Sequence, residues 1–250
     1  MINGERGGHG DYELFPLGDC AVLIRFGVVM DEALNRIVHA FAAQLEEKPF
    51  AGMIECTPAF ASVTVHYDPL AVMRSRTQAE STHSTIYETV SLRLRLYLPT
   101  LEPSDMQTER TVVEIPVCYG EEYGPDLAFV AEHNGLTEEE VVAIHSGSSY
   151  LVYMIGFAPG FPYLGGMPER IAAPRHKTPR TVIPAGSVGI AGNQTGVYSV
   201  ATPGGWQLIG RTPLQLFRPG QTPPSLLQAG AEVRFQPIAR AEFENYGRDA

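Results

Sequence analysis

The sequence predicts an α+β fold in two parts: a small mixed domain over residues 11–98 and a β-barrel or closed sandwich over 111–240, joined by a linker at 99–110. Three observations predict it. A β-α-β-β order of apolar patterns opens the chain. Short strand-like runs separated by turn signals fill its second half. Gly (25) and Pro (20) are both frequent among the 250 residues, which favours turns and short strands over a helical bundle. A chain of this length buries a substantial core in one large domain or two small ones.

The elements follow in order. The first ten residues are Gly-rich and polar and are expected to be unstructured. Residues 21–26 (AVLIRF) read as a strand. Asp31 caps a helix running to about residue 47, with Leu34, Ile37, Val38, Phe41 and Leu45 at helical spacing. Strands follow at 53–57 and 62–67, the second with Val63, Val65 and Tyr67 alternating on one face. From 68 to 110 the patterning weakens. Residues 91–98 (SLRLRLYL) alternate like a strand but consist of good helix formers, and both readings stay open.

Beyond the linker, 111–119 (TVVEIPVCY) reads as a strand. A short helix at 126–134 stops at Asn134-Gly135, and Thr137 opens a capping box with Glu140 for a second one. A strand at 149–155 precedes candidates at 181–183, 186–191, 197–201, 206–210, 214–217 and 231–235. Turns are expected at Gly192-Asn193, at 203–205 and at Pro219-Gly220.

Charge and cysteine content narrow the functional classes. Eighteen basic residues against 28 acidic ones give a net charge of −10, which disfavours nucleic acid and anionic membranes as partners. The three cysteines match no metal-ligand spacing and are expected to be free thiols. No signal peptide or membrane-length apolar run is expected, so a soluble cytoplasmic protein is anticipated.

Chemistry is expected between about residues 154 and 219. The loop 156–166 (GFAPGFPYLGG) combines backbone freedom, proline stiffness and the rings of Phe157, Phe161 and Tyr163 around Pro159 and Gly160. It is either a ligand wall or a stiff surface turn. Arg170, Arg175, His176, Lys177 and Arg180 crowd one stretch of an acidic chain, which suits an anionic ligand and equally a solvated face. Gln194 and Thr195 orient an amide or lie in a hairpin turn, and Trp206 lines a pocket or belongs to the core. Gln207 and Arg211 share the stretch 203–211 (PGGWQLIGR) with that tryptophan. HExxH, GxSxG and P-loop motifs are all absent from the sequence.

Taken as one motif, 152–213 (VYMIGFAPGFPYLGGMPERIAAPRHKTPRTVIPAGSVGIAGNQTGVYSVATPGGWQLIGRTP) resembles the allophanate hydrolase subunit 1 family, which includes the B-type subunit of 5-oxoprolinase and a sporulation-kinase inhibitor. GDCAVLIRFG at 18–27, VHYDP at 65–69 and IPVCYGEEYGPDL at 115–127 extend the likeness, whereas 72–110 fall outside it. The resemblance implies a ferredoxin-like N-terminal domain and a cyclophilin-like barrel. It implies one component of an ATP-dependent hydrolase that opens 5-oxoproline to glutamate, with ATP and Mg2+ as co-substrate. The partners implied are the C-type subunit of 5-oxoprolinase (allophanate hydrolase subunit 2) and its A-type subunit. Phosphorylating the lactam oxygen would make it a leaving group. Arg175, Arg180 and Arg211 would supply cations for that step, and Gln194, Thr195 and Gln207 would orient the ring. Inhibition of a histidine kinase through the N-terminal domain and action on urea-derived allophanate are the alternatives, because one fold serves several functions.

Overall fold

A computed structural model describes residues 5–6, 12–29, 31–98 and 111–246. The expected linker at 99–110 and most of the first ten residues lie outside the described residues. Two compact units divide between Thr108 and Glu109.

The first unit is one antiparallel sheet under helices. Its strands are β1 (Glu5–Arg6), β2 (Glu13–Pro16), β3 (Ala21–Arg25), β4 (Met53–Pro58) and β5 (Ser62–Tyr67), in the order β1-β2-β3-β5-β4. Sequence patterning missed β1 and β2, which are too short and mixed to alternate visibly. Helix α1 (Glu32–Glu47) crosses between β3 and β4, and Asp31 caps it by accepting from the Leu34 N–H at 2.9 Å. Val38, Phe41 and Leu45 of α1 pack onto Val22, Ile24, Val63 and Val65 of the sheet. Helices α2 (Pro69–Arg74) and α3 (Ile86–Arg95) complete the unit, so the ambiguous 91–98 segment is helical through Arg95.

The second unit is built on a closed seven-stranded barrel. In chain order its strands are β6 (Val112–Tyr119), β7 (Ser149–Ile155), β8 (Pro162–Gly165), β10 (Ser187–Ala191), β11 (Gln194–Val197), β13 (Gln207–Arg211) and β14 (Glu232–Pro237). Around the barrel they run β10-β11-β8-β7-β14-β6-β13, closing through the β10–β13 pair. All pairs are antiparallel except β14 with β6. A two-stranded sheet, β9 (Arg180–Ile183) with β12 (Thr202–Gly204), stands beside it. Helices α4 (Leu127–Asn134) and α5 (Glu138–Ser146) pack on the barrel, each ended or opened as expected. Gly135 takes the left-handed conformation (φ +65°), and Thr137 with Glu140 forms the capping box. A last helix, α6 (Arg240–Asn245), follows β14.

Four strand expectations are corrected. Gly192-Asn193 is a two-residue turn, so its return strand starts at Gln194 and ends at Val197, not over 197–201. The segment 214–217 is irregular between Pro213 and Pro219, with Phe217 making only an isolated bridge to Ser225. The second half of the Gly/Pro loop is barrel strand β8, and Thr202–Gly204 is strand β12 where a turn was expected.

Candidate functional site

The chain converges on Asp126, which the sequence reading did not single out. Asp126 precedes α4 on a segment laid directly against β13. A Cβ on Gly124 would overlap the Ile209 carbonyl, so only glycine permits that approach. Asp126 N–H donates to Leu208 O at 2.9 Å, and its Oδ2 accepts from the Leu208 N–H at 2.7 Å. Arg180 Nη2 donates to Oδ1 at 2.8 Å, and His176 Nε2 lies 3.2 Å from Oδ2. Burial alone would push the Asp126 carboxyl up. Hydrogen bonds from Arg180, the Leu208 N–H and His176 outweigh it and hold the group below the usual carboxylate range.

His176 Nε2 also lies 2.8 Å from Arg180 Nη1. Arginine only donates, so an unprotonated Nε2 accepts from Arg180, whereas a protonated one donates to Asp126. A single nitrogen does one or the other.

An aromatic group sits beside this cluster. Phe161, buried in the structure, meets Phe157, Tyr163, Tyr198 and Trp206 at ring-centroid distances of 5.3–5.7 Å, all edge-on. Trp206 is only 7% exposed, so it belongs to this small core, and Arg175 lies 6.0 Å from its ring centroid. Burial raises the Tyr198 hydroxyl, while a hydrogen bond from the Trp206 backbone and the charges of Arg175 and Arg180 pull it back. Gln207 Nε2 donates to Pro174 O at 2.8 Å, and its buried Oε1 has no donor. Arg175, Arg180, Trp206 and Gln207 thus share one neighbourhood.

Of the other expected residues, Phe157 touches the edge of this aromatic group and the rest lie elsewhere. Phe157 is 65% exposed at φ +67°, a left-handed conformation rare for a non-glycine residue. Pro159 O accepts from Ser199 Oγ at 2.6 Å, and Gly160 (φ +73°) abuts Phe217. Gln194 sits half-buried at the start of β11, paired with Ala191. Thr195 turns into the barrel core, where its Oγ1 lies 2.9 Å from His145 Nε2 and 3.1 Å from Gly189 O.

The carbonyl of Gly189 can only accept, which fixes the direction of this buried chain. Thr195 O–H donates to Gly189 O, His145 Nε2–H donates to Thr195, and Tyr119 O–H donates to His145 Nδ1 at 2.8 Å. The proton of Thr195 is therefore committed inside the barrel, which argues against the ring-orienting role expected for it. Desolvation holds His145 neutral, its pKa pushed down from 6.5 to about 3.

Arg211 lines a separate hollow of ≈ 510 Å³ with Ser199, Thr212, Leu214, Gln215 and Phe243 among its walls. Its Nε donates to Ala185 O at 2.9 Å. Of the six polar residues expected to act on the lactam and its phosphate, only Arg211 lines this hollow. The hollow touches the Gly/Pro loop through the Ser199–Pro159 hydrogen bond. No group of three or more His, Cys, Asp or Glu able to hold a metal occurs among the described residues, and none of their helices is long and apolar enough to cross a membrane.

Comparison with known proteins places this barrel in a class and then in a family. The Kluyveromyces lactis urea carboxylase structure matches 99% of this chain and 24% of its own at a TM-score of 0.73. Its 18% identity makes that a likeness of fold. The chain belongs to the family "carboxyltransferase domain, subdomain C and D", whose model matches residues 12–227. The B-type subunit of 5-oxoprolinase from Bacillus subtilis is 53% identical over 239 residues, covering 96% of this chain and 98% of that one. The conserved uncharacterized protein PH0987 of Pyrococcus horikoshii is 45% identical, covering 92% of this chain and 99% of that one, with a TM-score of 0.52.

Proposed function

We propose that this chain is the B-type subunit of a multi-subunit, ATP-dependent 5-oxoprolinase, helping to open 5-oxo-L-proline to L-glutamate. The observation that carries this reading is the 53% identity with the Bacillus subtilis B-type subunit across 98% of that relative's length. The partners are companion subunits of the C and A types. The first unit is read as ferredoxin-like, which the side-by-side order β3-β5-β4 with α1 crossing from β3 to β4 supports. The second is read as cyclophilin-like.

A lactam is a poor electrophile, and ATP supplies a phosphoryl group that turns its oxygen into a leaving group. The residues of this chain contribute position and charge. Asp126 holds the Arg180 guanidinium in one orientation. Arg175, which pairs with no carboxylate among the described residues, carries the freer positive charge, with Lys177 near it in sequence. Together they are the cations we assign to the phosphates. The buried rings of Phe161 and Trp206 pack beside that group. The described residues fit the phosphates better than they fit Mg2+, so no step in this chain is drawn through the metal.

The test is co-purification with the two companion subunits, followed by ADP release measured with 5-oxoproline, allophanate and urea. Release that depends on 5-oxoproline alone is expected. Release driven by allophanate or urea instead, or by none of the three, rejects the reading.

A further inference from the structure

Six arginines of this acidic protein pair with carboxylates among the described residues. Arg25 pairs with Glu13, Arg93 with Glu80, Arg180 with Asp126, and Arg240 with Glu122 and Glu244. Arg211 is half-buried and pairs with none among the described residues. Among the described residues its guanidinium makes one hydrogen bond, from Nε to Ala185 O, which leaves its two Nη groups as an open fork. The turn behind it is tightly built. Gly186 at φ +83° brings its own backbone against Thr212 O and Arg211 Cγ, and Thr212 N–H donates to Gly186 O at 2.9 Å.

The hollow this fork lines has a consistent chemistry. Thr212, 3% exposed, accepts from the Leu214 N–H at 3.2 Å and keeps its hydroxyl proton for another acceptor. Leu214, Pro213 and Phe243 make apolar walls, and ≈ 510 Å³ suits a small molecule. A single cation lines it, which matches a monoanion better than a phosphate dianion, and a two-pronged guanidinium matches a carboxylate. Gln207, Arg175 and Arg180 are not among the residues that line the hollow.

We propose that the hollow at Arg211 is a carboxylate subsite. It holds a small ring-bearing acid through the Arg211 fork and the Thr212 hydroxyl, apart from the Arg175–Arg180 group. The carboxylate chemistry stands on the geometry. Naming 5-oxoproline as the occupant rests on the proposed function.

Calorimetric titration of the full-length chain separates the two. The probes are 5-oxoproline, pyrrolidin-2-one (the ring without the acid), cyclopentanecarboxylate (an acid without the lactam) and inorganic phosphate. Both acids are expected to bind, with pyrrolidin-2-one and phosphate at least tenfold weaker. Arg211→Gln is expected to weaken both acids at least tenfold with an unchanged unfolding midpoint, and Arg211→Lys to fall between. Should Arg211→Gln fail to fold, Phe243→Trp, which puts a larger ring on the hollow's wall, is expected to abolish acid binding. Phosphate or pyrrolidin-2-one binding as tightly as the acids overturns the proposal. So does acid binding that survives Arg211→Gln or Phe243→Trp, or no acid binding at all. Binding of cyclopentanecarboxylate without 5-oxoproline supports the subsite and counts against the 5-oxoprolinase reading.

Discussion

At the scale of single residues, Asp126 organises the cation group, and its hydrogen bonds say what its loss does. Both carboxylate oxygens accept, Oδ1 from Arg180 and Oδ2 from the Leu208 N–H. An asparagine keeps one acceptor and turns an NH2 toward a donor. Asp126→Asn is therefore expected to cost about 1–3 kcal/mol of stability, read by urea unfolding. It is also expected to lower 5-oxoproline-dependent ADP release of the reconstituted enzyme by roughly tenfold or more, because Arg180 loses its fixed orientation. Unchanged turnover in Asp126→Asn would remove the pair from the site. The sequence exposed the arginine but hid its partner, since 54 positions separate them and one aspartate among 28 acidic residues carries no mark. Gly124, two residues earlier, was the available signal: a glycine there lets the backbone approach β13. Thr195 shows the opposite error. Its side chain lies in a Gly-rich motif, yet the pleat of β11 sends it inward to His145.

Among the elements, those with a strong period or a cap were legible, and those whose burial departs from hydrophobicity were not. Helix α1 was read from its apolar spacing, and α5 from Thr137 and Glu140. Thr137→Ala is expected to cost about 1 kcal/mol, seen as a shift in the urea midpoint of the second unit. Helix α3 stayed ambiguous because its alternation is misleading. Arg93 is 9% exposed, while Leu92 and Leu96 are 41% and 72% exposed. The buried arginine is matched by Glu80, with Nε to Oε1 at 2.7 Å and Nη2 to Oε2 at 3.0 Å. It also donates to the carbonyls of Ala51 and Ser75, tying α3 to the chain before α2 and after it. Arg93→Met leaves Glu80 buried without its counter-charge and is expected to cost about 3 kcal/mol, the low end for a broken buried pair. Urea unfolding of the full chain checks it, and a loss below a few tenths of a kcal/mol would show that the pair holds nothing together. Strands β8, β11 and β12 were missed or shifted because three or four residues around glycines give no alternation to count.

For the whole molecule, the two units carry different acid-sensitive groups, so they are expected to lose stability in different pH ranges. In the barrel, burial holds His145 at about 3 against an ordinary 6.5. Above 6.5 the ring is neutral whether the chain is folded or not, and the stabilisation is complete. Between 6.5 and 3 the unfolded chain binds a proton that the folded barrel refuses, so stability falls as the pH falls. The groups facing the ring are Tyr119, Thr195, Tyr150 and Phe235, none of which is an acid that could retain the proton. In the first unit, hydrogen bonds from Arg93 and from the Thr77 backbone hold Glu80 at about 2 against an ordinary 4.5. Its contribution is intact above 4.5 and is lost only as the pH drops from there toward 2. Hydrogen exchange between pH 7 and pH 5 is therefore expected to show falling protection in β7 and β14 and steady protection in β5. His145→Gln, which keeps a donor toward Thr195 but does not titrate, is expected to flatten the barrel's slope. Parallel loss in both units, or an unaltered slope in His145→Gln, would show that this histidine does not set the acid limit of the barrel.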